Sequence, residues 1–179
     1  MQTTSGAGSS ASAIVRKATV ADAQACLKFA RFIFTTSDQL LRVPDELKLT
    51  VEQEAEWIDG AQKNNNLILI ATYSDDVVGL LDCHKKPFEK MKHVAEFGIS
   101  VHPAHRGNRV GSHMIETMFK WVSEETQIEK LILNVFNTNT RAIKLYERFG
   151  FKEECRQIKA AKQPDGCYVD MIQMYKFVR

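Results

Sequence analysis

This chain of 179 residues is short of several things, and each shortage closes off a class of protein. No apolar run approaches the roughly 20 residues that a membrane-crossing helix needs, so no membrane partner is expected. The formal net charge is only +2, too small to mark a nucleic-acid partner. The four cysteines, Cys26, Cys83, Cys155 and Cys167, form no CxxC pair and no ligand-like spacing with histidine. They read as free thiols of a reducing, cytoplasmic setting. His102, His105 and His113 lie close in sequence, but no carboxylate or cysteine completes a recognisable set around them, and no metal is expected. A phosphate loop of the GxxxxGK[ST] kind is missing, because no lysine follows Gly111, and so is GxGxxG.

What remains is ordinary globular material, 44% hydrophobic and 26% charged, of a length that suits one domain. The first thirteen residues, MQTTSGAGSSASA, lack the charged and apolar segments of a secretory signal and read as a flexible tail or cloning-derived linker. Residues 14–179 read as one domain. A strand is predicted over 14–18 and a helix from Asp22 to about Thr36. A polar, proline-interrupted loop with a short helical turn follows. A second helix is introduced by a Thr50/Gln53 capping box and ends by Gly60 or in the asparagine run after it. NLILIATY and VVGLLDCHK form a hairpin around SDD, and HVAEFGISV is the next strand. After VHPAHRGNRVG comes a helix with Met114, Ile115, Met118, Phe119 and Val122 on one stripe. KLILNVF is a strand. In the helix NTRAIKLYERFG, Ala142, Ile143, Tyr146 and Phe149 share a face, and Gly150 closes it. Two strands around PDG complete the chain. Hairpins imply antiparallel pairs, while the strand-helix-strand crossover between Val101 and Leu131 implies a parallel one. The expected fold is α/β, a mixed sheet with helices on its faces.

The corner HRGNRVGSH bears most directly on function. A strand ends there and a helix begins near Gly111. The first N–H groups of that helix lack acceptors and lie at the positive end of its dipole, a setting suited to phosphate. Gly107 and Gly111 allow unusual backbone angles and close approach. Arg106 and Arg109 add charge, and Ser112 a hydroxyl.

RGNRVG resembles the R/Q-x-x-G-x-G/A pyrophosphate loop of the GNAT superfamily of acyl-CoA-dependent N-acetyltransferases. AEFGISVHPAHRG resembles that superfamily's fourth strand, NVFNTNTRAIKLYERFGF its next strand and helix, and IVRKATVADA its first strand and loop. One departure stands out: the first motif glycine is Arg109, while Gly111 keeps the second position. The resemblance implies a mostly antiparallel sheet of about seven strands with one splayed parallel pair. It implies acetyl-CoA as co-substrate, its pantetheine arm along Ile99, Ser100 and Val101 and its pyrophosphate on Arg106, Gly107, Asn108, Arg109, Val110, Gly111 and Ser112. It places Asn139 near the arm and Tyr146 near the sulfur, as the acid that protonates the leaving thiolate. Asn139 and Tyr146 are seven residues apart, which puts them on one side of the helix. Glu96, a carboxylate between Ala95 and Phe97, is the candidate base or water-holding group, with His93 in reserve.

The acceptor is expected to be a small primary amine, an amino acid or its derivative. The ending Gly166, Tyr168, Asp170 and Met174 resembles bacterial spermidine and free amino-acid acetyltransferases. Asp38, Asp45 and Glu46 in the first loop could hold a cation, but no dense acidic cluster suited to a polyamine is visible. The alternatives are a polyamine or peptide acetyltransferase and a non-catalytic acyl-CoA-binding module. A homodimer built through the last strands would suit the family.

Overall fold

The computed structural model describes residues 13–124 and 127–179. Residues 1–12 of the expected tail lie outside them, whereas Ala13, which was grouped with that tail, packs against the core. Seven strands form one sheet: β1 (Ile14–Lys17), β2 (Leu67–Tyr73), β3 (Asp76–Lys85), β4 (Val94–Val101), β5 (Lys130–Phe136), β6 (Lys152–Lys162) and β7 (Tyr168–Phe177). Their order is β1-β2-β3-β4-β5-β7-β6. Every neighbouring pair is antiparallel except β4 and β5. The helices are α1 (Ala23–Thr36), α2 (Val51–Lys63), α3 (Val110–Glu124) and α4 (Thr140–Arg148).

Local chemistry accounts for most boundaries. Asp22 accepts hydrogen bonds from the two terminal nitrogens of the Arg16 guanidinium, at 2.7 and 2.8 Å, and from the Thr19 N–H at 2.8 Å, so it ties β1 to the turn that starts α1. The Thr50/Gln53 box forms: the Thr50 hydroxyl accepts the Gln53 N–H at 3.3 Å and the Gln53 side chain accepts the Thr50 N–H at 3.0 Å. That helix runs through Gly60 and stops at Lys63. Ser74 and Asp75 both hold positive φ, 48° and 70°, the backbone of a two-residue hairpin turn between β2 and β3.

The strand β2 is buried on both faces, as its unbroken aliphatic run requires. Leu67, Leu69 and Ala71 join the larger core under α3 and α4, with Met114, Met118, Leu131 and Phe151. Ile68 and Ile70 join a second core under α1 and α2, with Cys26, Ile58 and Ala61. The helices therefore cover both faces of the sheet.

One irregularity positions the site. β4 and β5 pair through Val94, Ala95 and Glu96 only, opposite Lys130, Leu131 and Ile132. Beyond Glu96, β4 stays on β3 as far as Val101, and β5 stays on β7 as far as Phe136. The sheet therefore splits between its two parallel strands.

Candidate active site

The split opens into a cleft of about 860 Å³. Its walls include Ile99, Ser100 and Val101 of β4, the corner from Arg106 to Ser112, and Asn139 and Tyr146 beside β5. Eleven of the twelve residues predicted to touch the cofactor line this one cavity; Asn108 does not. The side of β4 that faced β5 carries no strand partner over residues 97–101, so its main-chain groups are open to a ligand that can pair with them.

At the corner, Gly107 has φ +90° and Arg109 has φ +60°. Arg109 thus adopts the left-handed backbone suited to the glycine whose place it takes, and bears the steric cost of a Cβ there. Gly111 acts differently from expectation. Its φ is not positive; a Cβ on it would crowd Leu145 Cδ2 at 3.3 Å and reach ordinary contact with Val101 Cγ2 at 3.7 Å, so its smallness mainly seats α3 against α4. The first N–H of α3 with a main-chain acceptor is that of His113, which donates to Arg109 O at 3.0 Å. Those of Val110, Gly111 and Ser112 face the helix N-terminus without one. Arg106, Arg109, Arg141 and Arg148 line the cleft against two carboxylates, Asp38 and Glu116. Free N–H groups, a helix N-terminus and clustered guanidiniums suit a diphosphate.

Tyr146 is 6% exposed, its ring set edge-on to Phe97 at 5.9 Å and to Phe151 at 6.2 Å. Burial pushes its phenol above the usual range. No sealed side-chain polar atom goes unpaired among the described residues, and no protein group bonds this hydroxyl, so the hydroxyl end opens on the cleft. Asn139 does not sit within the helix as the seven-residue spacing assumed. It caps α4, its Oδ1 accepting the Ala142 N–H at 3.2 Å, and still lines the same cleft as Tyr146.

Glu96 lies elsewhere. Phe97, its neighbour on β4, points to the α4 side and Glu96 to the opposite face, because side chains alternate along a strand. Glu96 lines a separate pocket of about 440 Å³ with Asp82, His84, Lys86 and Asn134. Its Oε1 accepts the Asn134 amide at 2.8 Å, and its Oε2 pairs with the Lys86 ammonium. His93 precedes β4 and is exposed; its carbonyl receives the N–H groups of Glu129 and Lys130. It lines neither cavity.

Of the other cleft residues, the sequence singles out only Asp38 as a site candidate. Thr36 to Leu40 run from the end of α1 along the cleft wall, and Gln39 Oε1 accepts the Thr138 hydroxyl at 3.1 Å. Asp38 is therefore at the cleft, while Asp45 and Glu46 sit in a turn away from it. Arg141 and Arg148 could have been found as one stripe of α4, seven residues apart. Asp170 braces the wall from behind. Its carboxylate accepts the Lys159 N–H at 2.9 Å, and its main chain exchanges bonds with Asn137, at 2.9 and 3.0 Å, just before Thr138 and Asn139. His102 and His105 belong to an aromatic group with Phe32 and Tyr73. No cluster of three or more metal-ligating side chains occurs among the described residues. Nor is any helix among them long and apolar enough to cross a membrane.

Comparison with known proteins identifies the family and the fold. Residues 33–151 match the model of the Acetyltransferase (GNAT) family. The L-amino acid N-acetyltransferase AaaT of Escherichia coli (strain K12) is 33% identical over 106 residues, covering 59% of this chain and 65% of that relative. Among solved structures, an acetyltransferase of the GNAT family from Streptococcus pneumoniae superposes with a TM-score of 0.88 at 21% identity, over 93% of this chain and 99% of that one. A GNAT superfamily phosphinothricin acetyltransferase from Sinorhizobium meliloti, solved in complex with AcCoA, gives 0.82 at 15% identity, over 93% and 89%. At those identities the two structures carry the fold alone.

Proposed function

The chain belongs to the GNAT acetyltransferase family, and from that premise we propose that it moves an acetyl group from acetyl-CoA to the primary amine of a small molecule, an amino acid or its derivative, by direct attack in a ternary complex. One observation carries the reading: the only parallel pair of the described sheet comes apart after three rungs, and the gap joins an anion-suited helix start to a buried tyrosine in a single cleft.

The fit of the co-substrate rests on that cleft. The open edge of Ile99 to Val101 suits the amides of the pantetheine arm, and the corner from Arg106 to Ser112 suits the pyrophosphate, with Arg141 and Arg148 adding charge. When bound, acetyl-CoA supplies the thioester carbonyl and departs as the thiol. The chain's own groups manage the protons. Glu96, directly or through water, takes a proton from the incoming ammonium so that its nitrogen has a free electron pair. As the new C–N bond forms and the C–S bond breaks, Tyr146 gives its proton to the sulfur, and the proton lost by the nitrogen restores the phenol through solvent. A phenol raised by burial stays protonated until the thiolate forms, which suits a donor and not a base.

The test is to incubate the protein with acetyl-CoA and a panel of free amino acids, polyamines, aminoglycosides and peptides, and to measure released CoA. Release with free amino acids supports the reading. Release with polyamines or peptides alone would overturn the acceptor class, and none with any amine would overturn acetyl transfer.

A further inference from the structure

We propose that the amine site at Glu96, in the pocket on the far face of the sheet, selects zwitterions through Lys86: Glu96 receives the α-ammonium and Lys86 the α-carboxylate of a free amino acid. This deepens the acetyl-transfer reading and rests on it.

Placement is the first argument. The pocket lies on the opposite side of β4 from Tyr146, yet the two are one residue apart: Phe97 lines the pocket and its ring touches Tyr146. Glu96 is the last residue of β4 paired with β5, so the pocket sits where the sheet begins to split. Gly98, the next residue on its face, lies opposite Asp82, and a Cβ there would stand 3.2 Å from Asp82 Oδ1. An amine held here meets the split from the side opposite the tyrosine. Nucleophile and proton donor then approach from opposite faces, with no need to share one opening.

The second argument is charge. Lys86 and Glu96 form an ion pair on the pocket wall, both side chains about one-third exposed, and Asn134 holds the remaining carboxylate oxygen. A ligand that opens such a pair must satisfy both halves, since an abandoned half-buried charge is costly. A free amino acid does so, because its ammonium and carboxylate are carried on one carbon. A simple amine satisfies Glu96 and leaves the Lys86 ammonium without its partner. A polyamine brings further cations toward that same ammonium. Asp82, the other carboxylate of the pocket, already has His84 Nε2 at 3.4 Å. Proton balance follows from the docking: the ammonium delivered to Glu96 loses one proton to it, and the freed nitrogen is the nucleophile.

The experiment compares wild type with Lys86→Met and Lys86→Arg, using the best amino acid of the panel, its methyl ester and its decarboxylated amine, with CoA release as readout. Wild type should favour the acid over both analogues. Lys86→Met should raise KM for the acid at least about tenfold. It should lower KM for the ester and amine, or at least not raise it, because their docking no longer strands an ammonium at position 86, and Lys86→Arg should restore most of the loss seen with the acid. Unchanged CoA binding by both variants shows that the fold is kept. Equal use of acid and ester by wild type, or an equal loss of all three substrates in Lys86→Met, would overturn the zwitterion site while acetyl transfer stands. No CoA release by wild type with any amine would instead overturn the reading beneath it.

Discussion

Replacing Arg109 by glycine should make the free protein more stable and its cofactor binding weaker. Arg109 sits at φ +60°. A side-chain-bearing residue loses about 1–2 kcal/mol in that region. Glycine gives back about 0.4–1 kcal/mol through the extra freedom of the unfolded chain. The arginine's pairing with Glu116, at 4.0 Å with both side chains largely exposed, is too screened to change the sign. The net gain is about 0.5–1 kcal/mol, or roughly 1–4 °C in melting temperature for a chain of this size. Against that, a guanidinium on a diphosphate is a charged hydrogen bond of about 1.5–3 kcal/mol, so affinity for CoA should fall about tenfold or more. Scanning calorimetry without ligand and calorimetric titration with CoA read the two arms separately. Arg109→Ala serves as the control, since it removes the charge and keeps the strain: it should bind as weakly as the glycine variant and melt no higher than wild type. A glycine variant that melts lower and binds CoA as tightly as wild type would refute both halves of the reasoning.

Tyr146→Phe should lower kcat about 10²–10³-fold in steady-state CoA release. It should barely move the melting temperature, because the ring contacts with Phe97 and Phe151 persist; an unchanged kcat would remove Tyr146 from the chemistry. Gly79→Ala should destabilise by about 1–3 kcal/mol. The added Cβ would lie 2.8 Å from Met114 Sδ and 3.2 Å from Ala71 Cβ, in a fully buried layer between β3 and α3, and thermal melting checks it. Glu54, 4% exposed on α2, has its carboxyl raised by desolvation. A raised folded pKa means that stability is full below the ordinary carboxylate range and declines from there as pH rises through the raised folded pKa. Glu54→Gln should therefore melt higher than wild type at pH 7, with the gap closing toward pH 4; a constant gap would discount the titration.

Much of this was legible in the sequence because it depends on near neighbours. The Thr50/Gln53 box, the Ser74-Asp75 turn and the unbroken burial of β2 each follow from residues a few positions apart. The corner at 106–112, Asn139 and Tyr146 are assigned to one cofactor without coordinates only because their motifs resemble those of the GNAT superfamily, not by any local rule. Legibility failed where strands or loops distant in sequence meet. Nothing around Glu96 shows that Lys86 and Asn134, on either side of it in the sheet, claim both its oxygens. Nothing in the loop after α1 shows that Thr36 to Leu40 wall the cleft. Gly79 reads as an ordinary strand glycine until α3 is laid over it.

The sequence by itself determined the elements, their order and the chemistry of the cofactor corner, since capping, turn and burial preferences act over a few residues. The tertiary structure alone decided that β4 and β5 part after Glu96, that Arg109 holds a glycine's backbone, and that Glu96 on β4 and Tyr146 on α4 lie on opposite sides of the sheet. Those outcomes depend on which strands are neighbours and where their pairing stops, and that is settled only when residues far apart along the chain compete for the same hydrogen bonds and the same core.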